Sequence, residues 1–126
     1  MCSVVCCGVA ECTLSENGCA VDPSDYLWCW GDALTLGDGN TEPIRIPTPV
    51  PMPDGGKVMH YDMGPTNTCV VTQFAHLYCW GENGDGELAL GYANNIPYNV
   101  AQTPTLITPP TGVTFVSASV GLHRIC

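Results

Sequence analysis

The sequence predicts an all-β fold of stacked antiparallel hairpins, and three observations predict it. "YLWCWGD" at 26–32 returns as "HLYCWGE" at 76–82, so a Cys-Trp-Gly signature repeats fifty positions on. Each copy closes a pair of short Val/Leu/aromatic runs around a three-residue break, the pattern of a β-hairpin. The segments between the hairpins are too dense in proline for helices, with 11 Pro in 126 residues.

The elements follow in chain order. Residues 1–13 hold Cys2, Cys6, Cys7 and Cys12 in "MCSVVCCGVAECT". Val4 to Gly8 match Leu77 to Gly81 in pattern, which makes this segment a strand with Cys6 where Cys79 stands. A metal-thiolate reading is poor here. Zinc sites use closely paired Cys-x2–4-Cys ligands; Cys2 and Cys6 fit loosely, and Cys7 and Cys12 stretch the rule. Disulfides within or between chains account for these thiols better. The count of nine cysteines is odd, so at least one thiol is free, paired between chains or otherwise bound.

Residues 14–56 form the first unit. Its break, Pro23-Ser24-Asp25, is strong turn chemistry. Residues that face each other across a hairpin share a constant index sum, so Cys19 opposes Cys29 and Val21 opposes Leu27. Directly opposed Cα atoms lie about 4.5–5.5 Å apart, within reach of a disulfide. Residues 57–112 repeat the unit around Gln73-Phe74-Ala75, a weak turn signal that the repeat itself supports. There Cys69 opposes Cys79 and Val71 opposes Leu77. The expectation is two cross-strand disulfides, Cys19–Cys29 and Cys69–Cys79, with buried reduced thiols as the alternative. The other face is apolar too: Ala20 opposes Trp28 and Val70 opposes Tyr78. Strands apolar on both faces are covered on both faces, so each hairpin should lie between neighbouring sheets.

After each Cys-Trp-Gly comes a glycine-rich loop, then a proline-punctuated extended stretch, "TEPIRIPTPVPMP" or "IPYNVAQTPTLITPP". These stretches suit edge strands or extended connectors. Residues 113–126 begin the unit a third time, with Gly121 to Cys126 lying on Gly64 to Cys69 at an offset of fifty-seven.

The ordered landmarks resemble the regulator of chromosome condensation repeat, in a cysteine-bearing variety similar to repeats of secreted microbial proteins. Trp80, Gly81, Asn83, Gly86, Leu88 and Gly91 carry the fuller copy. Trp30, Gly31, Leu36, Gly37 and Gly39 carry one shortened by two residues. His123 stands at the family histidine, which Asn67 and Asn17 replace or flank. The resemblance implies antiparallel propeller-blade-like sheets, about two repeats and part of a third, against the seven that such propellers usually use. It therefore implies a piece of a larger protein, several assembling copies, or sheets stacked in another way. The exchange-factor and chromatin roles of the best-known member do not carry over, because the basic tail is absent and the charge is wrong.

Composition sets the functional limits. Charged residues are 12% of the chain and the net charge is −9, with only Arg45, Lys57 and Arg124 as strong cations. Phosphate neutralisation needs clustered cations, so no nucleic-acid partner is expected. No apolar run approaches a membrane span, and no membrane insertion is expected. Nine cysteines point to an extracellular or cell-surface setting, although no signal peptide is visible after Met1. Glu82, Asn83, Asp85 and Glu87 crowd one loop, but without the spacing or helical frame of a calcium loop. His60, His76 and His123 stand alone. No catalytic constellation, metal or cofactor is assigned, and Asn67-Thr68-Cys69 is only a rare form of glycosylation acceptor.

The function expected from the sequence is structural. A disulfide-stapled subunit would self-associate through strand edges into a homo-oligomer or filament, with Cys6 pairing Cys126 within one chain or between two. The alternative is a fragment of a larger propeller that binds a protein or glycan through its loop face.

Overall fold

The computed structural model describes residues 17–31, 36–39, 42–84, 86, 88, 100–121 and 124–125. Nine strands are present among them, in three antiparallel sheets that follow chain order. The first sheet joins β1 (Gly18–Val21), β2 (Leu27–Gly31) and β3 (Ile44–Pro49). The second is a four-stranded meander of β4 (Val58–Met63), β5 (Asn67–Thr72), β6 (Leu77–Glu82) and β7 (Val100–Ile107). In the third, β8 (Val120–Gly121) pairs with β9 (Arg124–Ile125).

Hairpin register follows the index sums. Cys19 pairs with Cys29 and Val21 with Leu27; Cys69 pairs with Cys79 and Val71 with Leu77. Both loops have one geometry. Asp25 and Ala75 take left-handed backbone, at φ 65° and 60°, and their amides donate to Asp22 and Thr72 carbonyls at 2.9 Å each. This is a turn followed by a left-handed residue, a common three-residue hairpin. Asp22 reinforces the first loop, its Oδ1 accepting from the Ser24 and Tyr26 amides at 2.8 and 3.0 Å. Thr72 stands at the equivalent position in the second.

The proline stretches are outer strands. Both β3 and β7 break register opposite the signature tryptophan, between Cys29 and Gly31 and between Cys79 and Gly81. Pro47 and Pro104 fall inside those irregularities, where a missing amide costs the ladder least. Thr48 and Thr105 repeat the same local bond, each hydroxyl donating to the carbonyl two residues back at 3.0 Å. From Gly31 to its partner Ile44 is thirteen residues, and from Gly81 to Ala101 is twenty. Those seven extra residues turn the offset of fifty into fifty-seven.

The core lies between the sheets. Strands β5 and β6 are buried on both faces apart from Glu82, as two-sided apolar patterning demands. Strand β1 is half buried on both faces, and β2 buries Leu27 and Cys29 while Trp28 and Trp30 are half buried. Leu27, Leu36, Val70, Trp80 and Leu88 are among the fully buried side chains. Polar contacts seam the sheets together. Tyr61 donates its hydroxyl to the Cys19 carbonyl at 3.1 Å, and the Val120 amide donates to Asp62 Oδ2 at 2.8 Å.

Candidate functional site

The residues singled out from the sequence fall into a staple and a lock. Cys19 and Cys29 are disulfide-bonded with Cα atoms 4.1 Å apart, and Cys69 and Cys79 with Cα atoms 4.2 Å apart. Cys2, Cys6, Cys7, Cys12 and Cys126 lie outside the described residues, so the Cys6–Cys126 pairing does too, as do Gly91 and His123.

The signature residues form the lock between the first two sheets. Trp80 is fully buried, and the loop carrying Leu36, Gly37 and Gly39 lies against it. A Cβ on Gly37 would stand 2.7 Å from Trp80 Nε1, and the Gly39 amide donates to the Gln102 carbonyl at 3.0 Å. Gly81 leaves no room for a side chain against the Thr66 carbonyl and Asn67. Asn67 is buried and donates to the Glu82 carbonyl; Asn83, also buried, accepts from the Leu88 amide at 3.1 Å. Gly86 has no neighbour where a Cβ would stand, and Trp30 and Gly31 hold the equivalent β2 positions, half buried. These side chains are spent on architecture. A buried Asn67 is also closed to glycosylation.

A polar cluster lies at the hairpin turns, and its centre, the largely buried Asp54, carries no motif. Pro53-Asp54-Gly55 turns the connector between sheets, with the Gly55 amide donating to the Met52 carbonyl at 2.9 Å. Asp54 Oδ1 accepts from the Gly56 amide at 2.8 Å. Its Oδ2 accepts from Thr72 Oγ1 at 2.9 Å and lies 2.8 Å from His76 Nδ1. Burial works against ionising Asp54, yet the bonds from Gly56, His76 and Thr72 outweigh it, so its carboxyl falls below the ordinary value of 3.8. An ionised carboxylate only accepts; His76 Nδ1 therefore carries the hydrogen. Tyr78 is pushed the other way, by burial first and then by the Asp54 charge and the bond its hydroxyl donates there. Phe74 stands out beside them, half exposed at 53%. In the first hairpin Asp22 Oδ2 accepts from Trp28 Nε1 at 2.9 Å, and that bond leads those lowering the Asp22 carboxyl.

The connector binds both turns into one surface. The Val58 amide donates to the Asp25 carbonyl and the Gln73 amide to the Lys57 carbonyl, each at 2.9 Å. Lys57 reaches toward Asp25 at 4.0 Å, an exposed pair that contributes little. Among the described residues no group of three or more His, Cys, Asp or Glu side chains is placed to hold a metal ion. No described helix is long and apolar enough to cross a membrane.

Comparison with known proteins identifies the architecture. Residues 75–123 match the family model "Regulator of chromosome condensation (RCC1) repeat". That stretch starts in the second hairpin loop and runs through β6, β7 and β8, so one sequence repeat spans two sheets. The ultraviolet-B receptor UVR8 of Arabidopsis thaliana is 32% identical over 89 residues, covering 71% of this chain and 19% of the receptor. The human E3 ubiquitin-protein ligase HERC2 is 31% identical over 90 residues, covering 70% of this chain and 2% of the ligase. The chain thus spans a small part of these curated relatives. Among solved structures, human WBSCR16 superposes with a TM-score of 0.69 at 16% identity, over 84% of this chain and 26% of that one. Prp20p of Saccharomyces cerevisiae, which binds Gsp1p and histones, gives 0.66 at 18% identity, over 83% of this chain and 27% of its own. With its matched repeat, its relatives and its blade-like sheets, the chain belongs to the regulator of chromosome condensation β-propeller repeat family.

Proposed function

We propose that this chain works by binding and not by catalysis, supplying blades of a propeller whose hairpin-turn face meets a protein partner. The observation that carries the reading is that face itself. Tyr26 and Phe74, at 50% and 53% exposure, project from two turns that disulfides, the Asp22 and Asp54 carboxylates and the connector hold rigid. Exposed aromatic groups on a preorganised frame are what interface anchors look like. The binding of Gsp1p and histones by Prp20p gives a precedent for protein partners on this fold. The four disulfide-bonded cysteines favour an oxidising, extracellular or cell-surface setting.

Self-association is the second reading. It rests on β8–β9, a two-stranded sheet beside one of four, which could be extended by strand addition from another copy. The prolines of β3 and β7 argue against the outer edges as the place for it.

A peptide-library selection on the immobilised chain tests the first reading. Binders that lose at least tenfold in affinity for a Tyr26→Ser/Phe74→Ser variant support it. No enrichment, or binders indifferent to the variant, would overturn it. Sedimentation of the free chain separates the second: a single-chain mass at every concentration removes self-association.

A further inference from the structure

The two turns carry stations of one design. In the first, Asp22 lies against the Trp28 indole with Tyr26 half exposed beside it. In the second, Asp54 lies against His76 and Tyr78 with Phe74 half exposed beside them. Trp28 and Tyr78 hold the same place, each one residue before the disulfide cysteine of its strand. Their carboxylates come from different parts of the sequence. Asp22 opens its own hairpin loop, whereas Asp54 belongs to the connector, and both end on the same ring position. In the second station the rings run as a ladder. Phe74 and His76 centroids are 6.3 Å apart and tilted by 49°, and His76 and Tyr78 are 6.3 Å apart, edge to face at 87°.

We infer that these stations bind basic side chains, arginine or lysine, of the protein partner. The inference rests on the binding role proposed above and names the chemistry that the partner brings. A cation is drawn to the face of an aromatic ring. The Asp22 carboxylate, accepting the Trp28 indole hydrogen, pushes electron density into that half-buried ring. At the second station Tyr78 is buried, so Asp54 acts through its negative field on the exposed Phe74 and His76 rings. Asp22 and Asp54 are already filled by amide and side-chain donors. They act as fixed charge behind the rings, not as direct salt-bridge partners. With Nδ1 given to Asp54, His76 keeps its second ring nitrogen and its ring face for the partner. Its side chain is 48% exposed. The −9 charge of the chain favours encounter with a basic partner. Of the other groups on the face, Lys57 and Asp25 are drawn to each other.

The test is an NMR titration of the full chain with a peptide carrying two arginines on a Gly-Ser spacer, against the same peptide carrying citrulline. Citrulline keeps the shape and loses the charge. The expected result is movement of the Tyr26, Trp28, Phe74 and His76 ring signals with arginine alone. Tyr26→Ser and Phe74→Ser should each weaken binding by about threefold to tenfold, while Glu42→Gln, on another loop, leaves it unchanged. Equal shifts with citrulline, or unchanged affinity in both serine variants, would overturn the inference. The wider reading can survive that outcome. Selected peptides that need Tyr26 and Phe74 but carry no arginine or lysine would keep the face as a docking surface and remove its preference for cations.

Discussion

Ala75 is held at φ 60° in a loop where the equivalent residue of the first hairpin is Asp25. Left-handed backbone costs an L-residue about 1–2 kcal/mol, whereas aspartate tolerates it better. Glycine escapes that cost and gives back about 0.5–1 kcal/mol in the unfolded chain. Ala75→Gly should therefore stabilise the protein by about 0.5–1 kcal/mol, read as a raised urea midpoint, and Asp25→Gly should gain less. If Ala75→Gly is destabilising, the strain does not exist. Asp54 is the opposite case, a residue whose surroundings fit it closely. Its carboxyl is more acidic folded than unfolded, so its stabilisation is present above about pH 3.8 and is lost as pH falls through the lower folded value. Asp54→Asn should cost about 1–3 kcal/mol at neutral pH, the worth of hydrogen bonds to a charged group. Variant and wild-type midpoints should converge once the pH falls below the folded value. A gap that persists into strong acid would mean that Asp54 acts through shape alone. None of this was legible in the sequence, where Asp54 is a turn residue and His76, twenty-two positions on, stands alone. The fold makes the pair.

Each hairpin depends on one opposed cysteine pair. Closing so short a loop limits the chain-entropy contribution to about 3 kcal/mol, and the Cys69→Ala/Cys79→Ala variant should lose up to that amount in chemical denaturation. A loss well beyond it would point to packing damage around two fully buried sulfurs. These hairpins were legible because period two and a constant index sum leave one register in which valine meets leucine and cysteine meets cysteine. Strand β4 was not. Met59 occupies a bulge between Val58 and His60, so the alternation that marks a strand is broken in the middle of "VMHYDM". The outer strands were read as extended, but their bulges opposite Trp30 and Trp80 depend on hydrogen-bond register, which composition does not carry. The same prolines that ruled out helices also protect those edges, since a strand lacking donors makes a poor template for another chain.

The sheets share residues, and that decides whether they unfold separately. The Gly37 loop belongs to the first sequence unit yet covers Trp80 of the second sheet. Tyr61 of the second bonds to Cys19 of the first, and Asp62 bonds to Val120 of the third. In stacked-repeat proteins such contacts set the coupling between neighbours. Gly37 tests the coupling because two costs meet there. Its φ of 69° penalises any side chain, and a Cβ would press within 2.7 Å of the indole. Gly55 isolates the first cost, with a φ of 68° and nothing within 4 Å. Gly55→Ala should lose about 1 kcal/mol, and Gly37→Ala about 2–4 kcal/mol once the crowding of a packed site is added. Hydrogen exchange then locates the damage. If the sheets form one cooperative unit, Gly37→Ala lowers protection in β5 and β6 together with β1 and β2. Protection lost only in the first sheet, or equal costs for the two variants, would make each sheet its own folding unit and reduce Trp80 to a local packing residue.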